Sequence, residues 1–322
     1  MDTLFIMLRN VILFVLLAVP GILLVKTKLI KEEQSGILSR LLLYVGMPFL
    51  IFSGTVDKIR FTSEFFLELL FVFLAGIAYT FLMVFLSRLF AAKEKDPKKN
   101  GMLRFAAVFS NNGFLGIPLA MAVFGADSPI MTVLIVLNIV TNVLLNTLGV
   151  YLVSRDPKEM NLKKAFLHPV FIAFLIGILV NLLNLKSFLP EISTYATHFS
   201  NIVTPVSMTV LGIKLCGVPL KKLFASGRMY FAAALRLVFF PALITGILLL
   251  LKLVLPWPFL DADLILGFFM AFAMPTAGLA STLADRYHGD TEGAAVYTLG
   301  STILSVLTIP LLYWGLTAIL AL

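Results

Sequence analysis

The chain has 322 residues, 60% of them hydrophobic and 13% charged, with a mean hydropathy of +1.02. A soluble domain is about half apolar and about a quarter charged, so the surplus apolar surface has to face lipid, which excludes a soluble globule. The net charge of +8 sits in short segments between apolar runs and reads as membrane-topology signalling rather than a nucleic-acid footprint, while the single cysteine, Cys216, excludes an internal disulfide or a cysteine metal cluster.

A bilayer core of about 30 Å needs roughly 20 helical residues. Runs of that length predict ten transmembrane helices, at 4–25, 36–55, 65–90, 102–125, 129–153, 167–185, 199–216, 228–254, 262–286 and 292–320. The first is too long for a signal-peptide core and has no A-x-A site behind it, so it reads as a retained helix. Lys93-Glu94-Lys95-Asp96-Pro97-Lys98-Lys99 reads as a solvated loop. Connectors after the odd-numbered helices hold 19 of the 25 Lys and Arg, Lys214 among them, whereas the opposite side holds five: Arg9, Lys58, Arg60, Lys186 and Lys252. That bias places the odd connectors in the cytoplasm and both termini outside.

Pro48 and Pro118, in helices two and four, are 70 residues apart, as are Pro205 and Pro275 in helices seven and nine. Five helices per half is an odd number, so a related second half enters the membrane upside down. Such inverted repeats, meeting at the bilayer midplane, are an architecture of secondary transporters. The expected division is 1–153 for the first repeat, 154–166 for a cytoplasmic linker and 167–322 for the second. The proline register pairs Pro118 with Pro275. A rival register, seven residues away, pairs Leu115, Leu119, Ala120 and Gly125 with Leu279, Leu283, Ala284 and Gly289.

Helices four and nine carry the chemistry. Helix four reads Phe109-Ser110-Asn111-Asn112-Gly113-Phe114-Leu115-Gly116-Ile117-Pro118, and helix nine reads Met274-Pro275-Thr276-Ala277-Gly278 followed by Ser281 and Thr282. Proline removes a backbone donor and glycine weakens a helix. Unwound backbone at membrane depth is tolerated only where it lines protein or a wet cavity. One such helix reads as a proline kink; a symmetric pair reads as a binding site. The half-helix N-termini welcome an anion. Asn111 and Asn112 beside Gly113 at one break, and Thr276 beside Pro275 at the other, supply neutral donors. Asn138, Asn142 and Asn146 form one stripe on helix five, read equally as interhelical glue or as part of the substrate path. Arg236 lies about 12 Å deep in helix eight. It reads either as a charge partner for the substrate or as a snorkelling side chain.

No Asp or Glu lies mid-span, Glu68 and Asp285 being the deepest. There is no phosphate-binding Gly-rich loop and no H-E-x-x-H, and His168, His198 and His288 make no metal cluster. An enzyme, a metal site and a cofactor are therefore not expected.

Asn111 to Pro118 followed by Phe124-Gly125 resembles the fourth helix of the auxin efflux carrier family, which includes bacterial permeases for malate-like acids. Thr204-Pro205 with Leu211-Gly212 is similar to its seventh helix. Met274-Pro275 through Tyr287, and Ser301-Thr302 to Ile309-Pro310, resemble its ninth and tenth. The resemblance implies an all-α integral membrane protein with a 5+5 inverted repeat, crossed broken helices four and nine, and a sodium/proton-antiporter-like fold. Helices 1, 2, 6 and 7 would form a scaffold, and helices 3–5 and 8–10 a transport domain working as an elevator. By resemblance, Asn111 contacts substrate and Pro118 is the crossover proline; Ala280 stands where the plant carriers have a second proline, which leaves the crossover residue of helix nine open. The expected function is carriage of small organic carboxylates. The alternatives are a sodium-coupled symporter of the bile-acid type and a non-transporting membrane sensor. Expected partners are a small carboxylate, the lipid bilayer, a proton or sodium gradient and a second copy of the chain, with no nucleic acid. The expected location is the cell (inner) membrane.

Overall fold

The computed structural model describes residues 2–58, 63–125, 127–188, 191–217, 219–255 and 257–320, so Arg60, counted above as an outward charge, lies outside the described residues. Among these residues the chain is mostly helical, and its longer helices group into ten runs. They are α1a (Asp2–Leu16) with α1b (Val19–Lys26), α2 (35–58), α3 (Ser63–Phe90), α4a (Pro97–Val108) with α4b (Ile117–Phe124), and α5 (Pro129–Ser154). The second half continues with α6 (Pro169–Leu182), α7a (Glu191–Ser200) with α7b (Val203–Leu215), α8 (Gly227–Val254), α9a (Ala262–Phe272) with α9b (Ala280–Arg286), and α10 (Thr291–Leu320). Five continuous runs are long and apolar enough to cross a membrane: 32–56, 66–90, 129–154, 227–254 and 291–320. The others are split, or short in the case of α6.

Several element limits differ from expectation, each for a local reason. The first run breaks near Leu17, and Pro20 stands in the opening turn of the new helix. Helix four begins inside the predicted solvated loop. The Asp96 carboxylate accepts from the N–H groups of Lys98 and Lys99, and Pro97 occupies the first turn, so this charge run is a capped helix start. The seventh run begins at Glu191 rather than 199, since α7a is amphipathic and its Ser and Thr residues mask it from a hydropathy window. The Thr197 hydroxyl there donates to the Ser193 carbonyl one turn back.

The two halves align, but not in one register. Pro48 in α2 and Pro205 in α7b are 157 apart. Beyond them, the ends of α3 and α8, 90 and 254, and of α4a and α9a, 108 and 272, are each 164 apart. Seven extra residues thus fall ahead of α8, where the chain holds the short helix Leu220–Phe224. The proline register therefore holds only for the early helices, and the rival register governs helices four and nine. In that register Asn111, not Pro118, is the counterpart of Pro275.

The helices pack in two groups. One gathers α1b, α2, α6 and α7; the other gathers α3, α4, α5, α8, α9 and α10, and α1a leans on α10 and α4b. Within the first group, α1b and α7b cross backbone to backbone. A Cβ at Gly21 would stand 2.0 Å from the Thr209 carbonyl oxygen, and one at Gly212 would stand 1.9 Å from that of Ala18. Only glycine permits this approach, which is a packing mode characteristic of helices in lipid.

Candidate functional site

The two broken helices meet at their breaks. Ser110 and Thr276 face each other as an isolated antiparallel bridge. The Asn111 N–H donates to the Pro275 carbonyl at 2.7 Å, and the Ala277 N–H donates to the Phe109 carbonyl at 2.8 Å. The crossover of helix four thus falls at Phe109–Asn111, and Pro118 is not its crossover residue. Pro118 stands inside the helical run Asn112–Phe124, just after its π-helical turn, and so removes a donor from within that run. Between break and proline runs a π-helical turn, Asn112–Gly116, with the Gly116 N–H donating to the Asn111 carbonyl.

A helix that stops inside a protein leaves its last four carbonyls open. For α4a these are Phe105 to Val108, and all four are closed. Phe105 accepts from the Phe109 N–H, Ala106 from the Thr276 hydroxyl, and Ala107 and Val108 from the Arg236 guanidinium. For α9a, the Ser110 hydroxyl donates to the Ala271 carbonyl at 2.8 Å, and Arg236 also donates to the carbonyl of Phe272. Each break therefore lends its hydroxyl to the opposite half-helix, and one guanidinium serves both. The Thr276 N–H donates in turn to the Ser301 hydroxyl on α10. Arg236 is fully buried, at 0% exposure, so it does not snorkel. Its positive charge sits where two helix dipoles end negative.

The opposite face of the crossover is open. A cavity there is lined by Asn111, Asn112, Gly113, Asn138, Thr141 and Asn142, together with Phe114 and Gly278. The amides here are not equivalent. Asn112 donates to the Thr141 hydroxyl and accepts from Asn138, both at 2.9 Å, so its side chain is occupied. Asn142 donates to the Asn138 side chain and carbonyl, which leaves its oxygen for the cavity. Gly113 lets this network close, because a Cβ there would come within 2.7 Å of the Asn138 amide nitrogen. Asn111 is different. Its side chain has no hydrogen-bond partner among the described residues, and it opens also onto a second cavity on the other side of Phe114 and Leu279. It caps the π-helical turn at a point where the N–H groups of a new helix have no intrahelical partners.

Of the residues singled out from sequence, Asn111, Asn112, Gly113 and Asn142 come together around one cavity. Pro118, Pro275, Thr276 and Arg236 line neither it nor the cavities on the other face. The sequence reading missed Lys214 as a lining residue, having counted it only as a topology charge; its position in the last turn of an apolar helix was the available signal.

A family model described as a membrane transport protein matches the chain twice in tandem, over residues 5–161 and 155–313. An uncharacterized transporter of Methanothermobacter thermautotrophicus is 25% identical over 307 residues, covering 94% of this chain and 96% of that protein. Another, from Methanocaldococcus jannaschii, is 26% identical over 294 residues, covering 89% and 91%. With nearly the whole length matched and no enzyme among these relatives, the chain belongs to the membrane transport protein family.

Proposed function

We propose that this protein is a secondary carrier of small organic carboxylates, taking its cargo at the crossover of α4 and α9. The observation that carries this reading is Asn111: a neutral donor without a hydrogen-bond partner among the described residues, beside the open end of a half-helix, facing cavities on both sides of the break. A neutral amide and a helix N-terminus attract a carboxylate without the cost of burying a full positive charge. They also release it again, as a carrier requires.

The division of the helices into two packed groups supports an elevator. Helices 1, 2, 6 and 7 are its scaffold, and helices 3–5 and 8–10 move with the crossover. On this reading the ten runs are ten membrane crossings in a 5+5 inverted repeat, with residues 154–166 as a cytoplasmic linker and both termini outside the cell membrane, and the working unit is a homodimer. The driving force is the membrane potential, a proton gradient or exchange. The sodium-coupled alternative finds less support, because the Asn112 and Asn138 amides that would ligate sodium are bonded to each other.

The test is uptake of labelled succinate by proteoliposomes under an imposed gradient. Asn111→Ala is expected to cut uptake about tenfold, the equivalent of roughly 1.4 kcal/mol, with an unchanged unfolding temperature. Wild-type vesicles that take up no carboxylate, or a variant that transports undiminished, would sink the assignment.

A further inference from the structure

The cavities on the two faces of the crossover differ in charge. The cavity around Asn112 and Asn142 is lined by no charged side chain. The cavity beyond Phe114, and a larger chamber that adjoins it, are both lined by Lys214. Lys214 sits in the last turn of α7b, where an ammonium commonly turns back on its own helix carbonyls. It does not do so here. Its ammonium donates to the carbonyl of Gly278, in the break between α9a and α9b, at 3.3 Å. An ammonium has three donors, and among the described residues this one has no second hydrogen-bond acceptor and no carboxylate in ion-pair contact. Glu32 and Asp285, which line the same chamber, act on it only through their field.

Gly278 is flanked from the other side by Asn111, whose amide nitrogen lies 3.7 Å from where a Cβ would stand. Covalent geometry then holds the Lys214 ammonium and the Asn111 amide within about 10 Å of each other. They are two incompletely bonded donors, one charged and one neutral, on a single continuous cavity.

We propose that Lys214 forms a second anion-binding subsite, in which a carboxylate entering from the Glu32 side is bound before it reaches Asn111. The two unfilled donors of the ammonium point the cavity toward an anion. Glu32 and Asp285 oppose that anion and keep its residence short. The identity of the anion as cargo rests on the carboxylate-carrier reading; the existence of the site does not.

The test measures binding without flux. In full-length protein in detergent, Cys216→Ser removes the native thiol and Ser281→Cys places one in the Lys214 chamber. Maleimide labelling is followed against succinate, with glucose as the neutral control. Succinate is expected to protect the thiol. Lys214→Gln should raise the half-protecting concentration about tenfold, the loss of one charge-assisted hydrogen bond, whereas Lys214→Arg and Asn111→Ala leave protection in place. Glu32→Gln with Asp285→Asn should lower that concentration about threefold, as expected for partly solvated charges, and gives a second reading should Lys214→Gln not fold. The proposal is overturned if the Lys214 protein is unprotected, if Lys214→Gln is protected equally well, or if neutralising the acids weakens protection. Lys214-dependent protection without vesicle uptake would retain this site and discard the carrier reading. Asn111-dependent uptake without Lys214-dependent protection would do the reverse.

Discussion

The two faces of the crossover are built from the same interrupted helices and are finished in opposite ways. On the Arg236 face, carbonyls of α4a and α9a meet fixed donors from Ser110, Thr276 and the guanidinium, all buried. On the Asn111 face, the start of the second half-helix is left with an amide that bonds nothing. The difference teaches where a broken membrane helix puts its strain. Acceptors cannot be left bare in a low-dielectric interior, so they are closed permanently, and the donors at the other end stay available for something that comes and goes.

Substitutions at the two faces should therefore separate stability from transport. The largest effect is expected at Arg236. Arg236→Ala uncovers three buried carbonyls and should cost about 3–5 kcal/mol, seen as failure to purify or a collapsed unfolding midpoint in detergent. Arg236→Lys, lacking the planar fork, should fall between. An Arg236→Ala protein that unfolds normally but does not transport would move this residue to the binding face. Next comes Asn112→Ala, which strands Asn138 and Thr141 and should cost about 1–3 kcal/mol by the same measurement. Ser110→Ala removes one hydroxyl donor to Ala271 and should cost about 1 kcal/mol. The smallest stability change belongs to Asn111→Ala, within about 0.5 kcal/mol, even though its uptake falls most. If Asn111→Ala destabilises as much as Ser110→Ala, the two faces are not distinct.

Much of this was legible in the sequence. The apolar runs marked a helical membrane protein, and the outer limits of helix nine were found where Asp261 caps its start and Arg286 closes its end. Asn111, Asn112 and Gly113 stood out because amides and glycine are costly in lipid. What hydropathy could not see was the polar first half of helix seven, or the helix start hidden in Asp96-Pro97-Lys98-Lys99. The crossover falls ahead of Pro118 because a proline marks a lost donor, not the site of a break; Pro118 lies inside the run that begins at Asn112. Arg236 and Lys214 were read in the wrong order of interest. Depth along a helix says how far a charge is from water, but not whether it meets carbonyls or a cavity. That depends on α4a and α9a arriving from distant parts of the chain.

The exchange of hydroxyls between the breaks also bears on biogenesis. When the ribosome has made only the first five helices, the Ala106, Ala107 and Val108 carbonyls have no donors, because Thr276 and Arg236 do not yet exist. The early half can insert but cannot settle. Its fourth helix is completed only when Arg236 and Thr276 of the later half pack beside it.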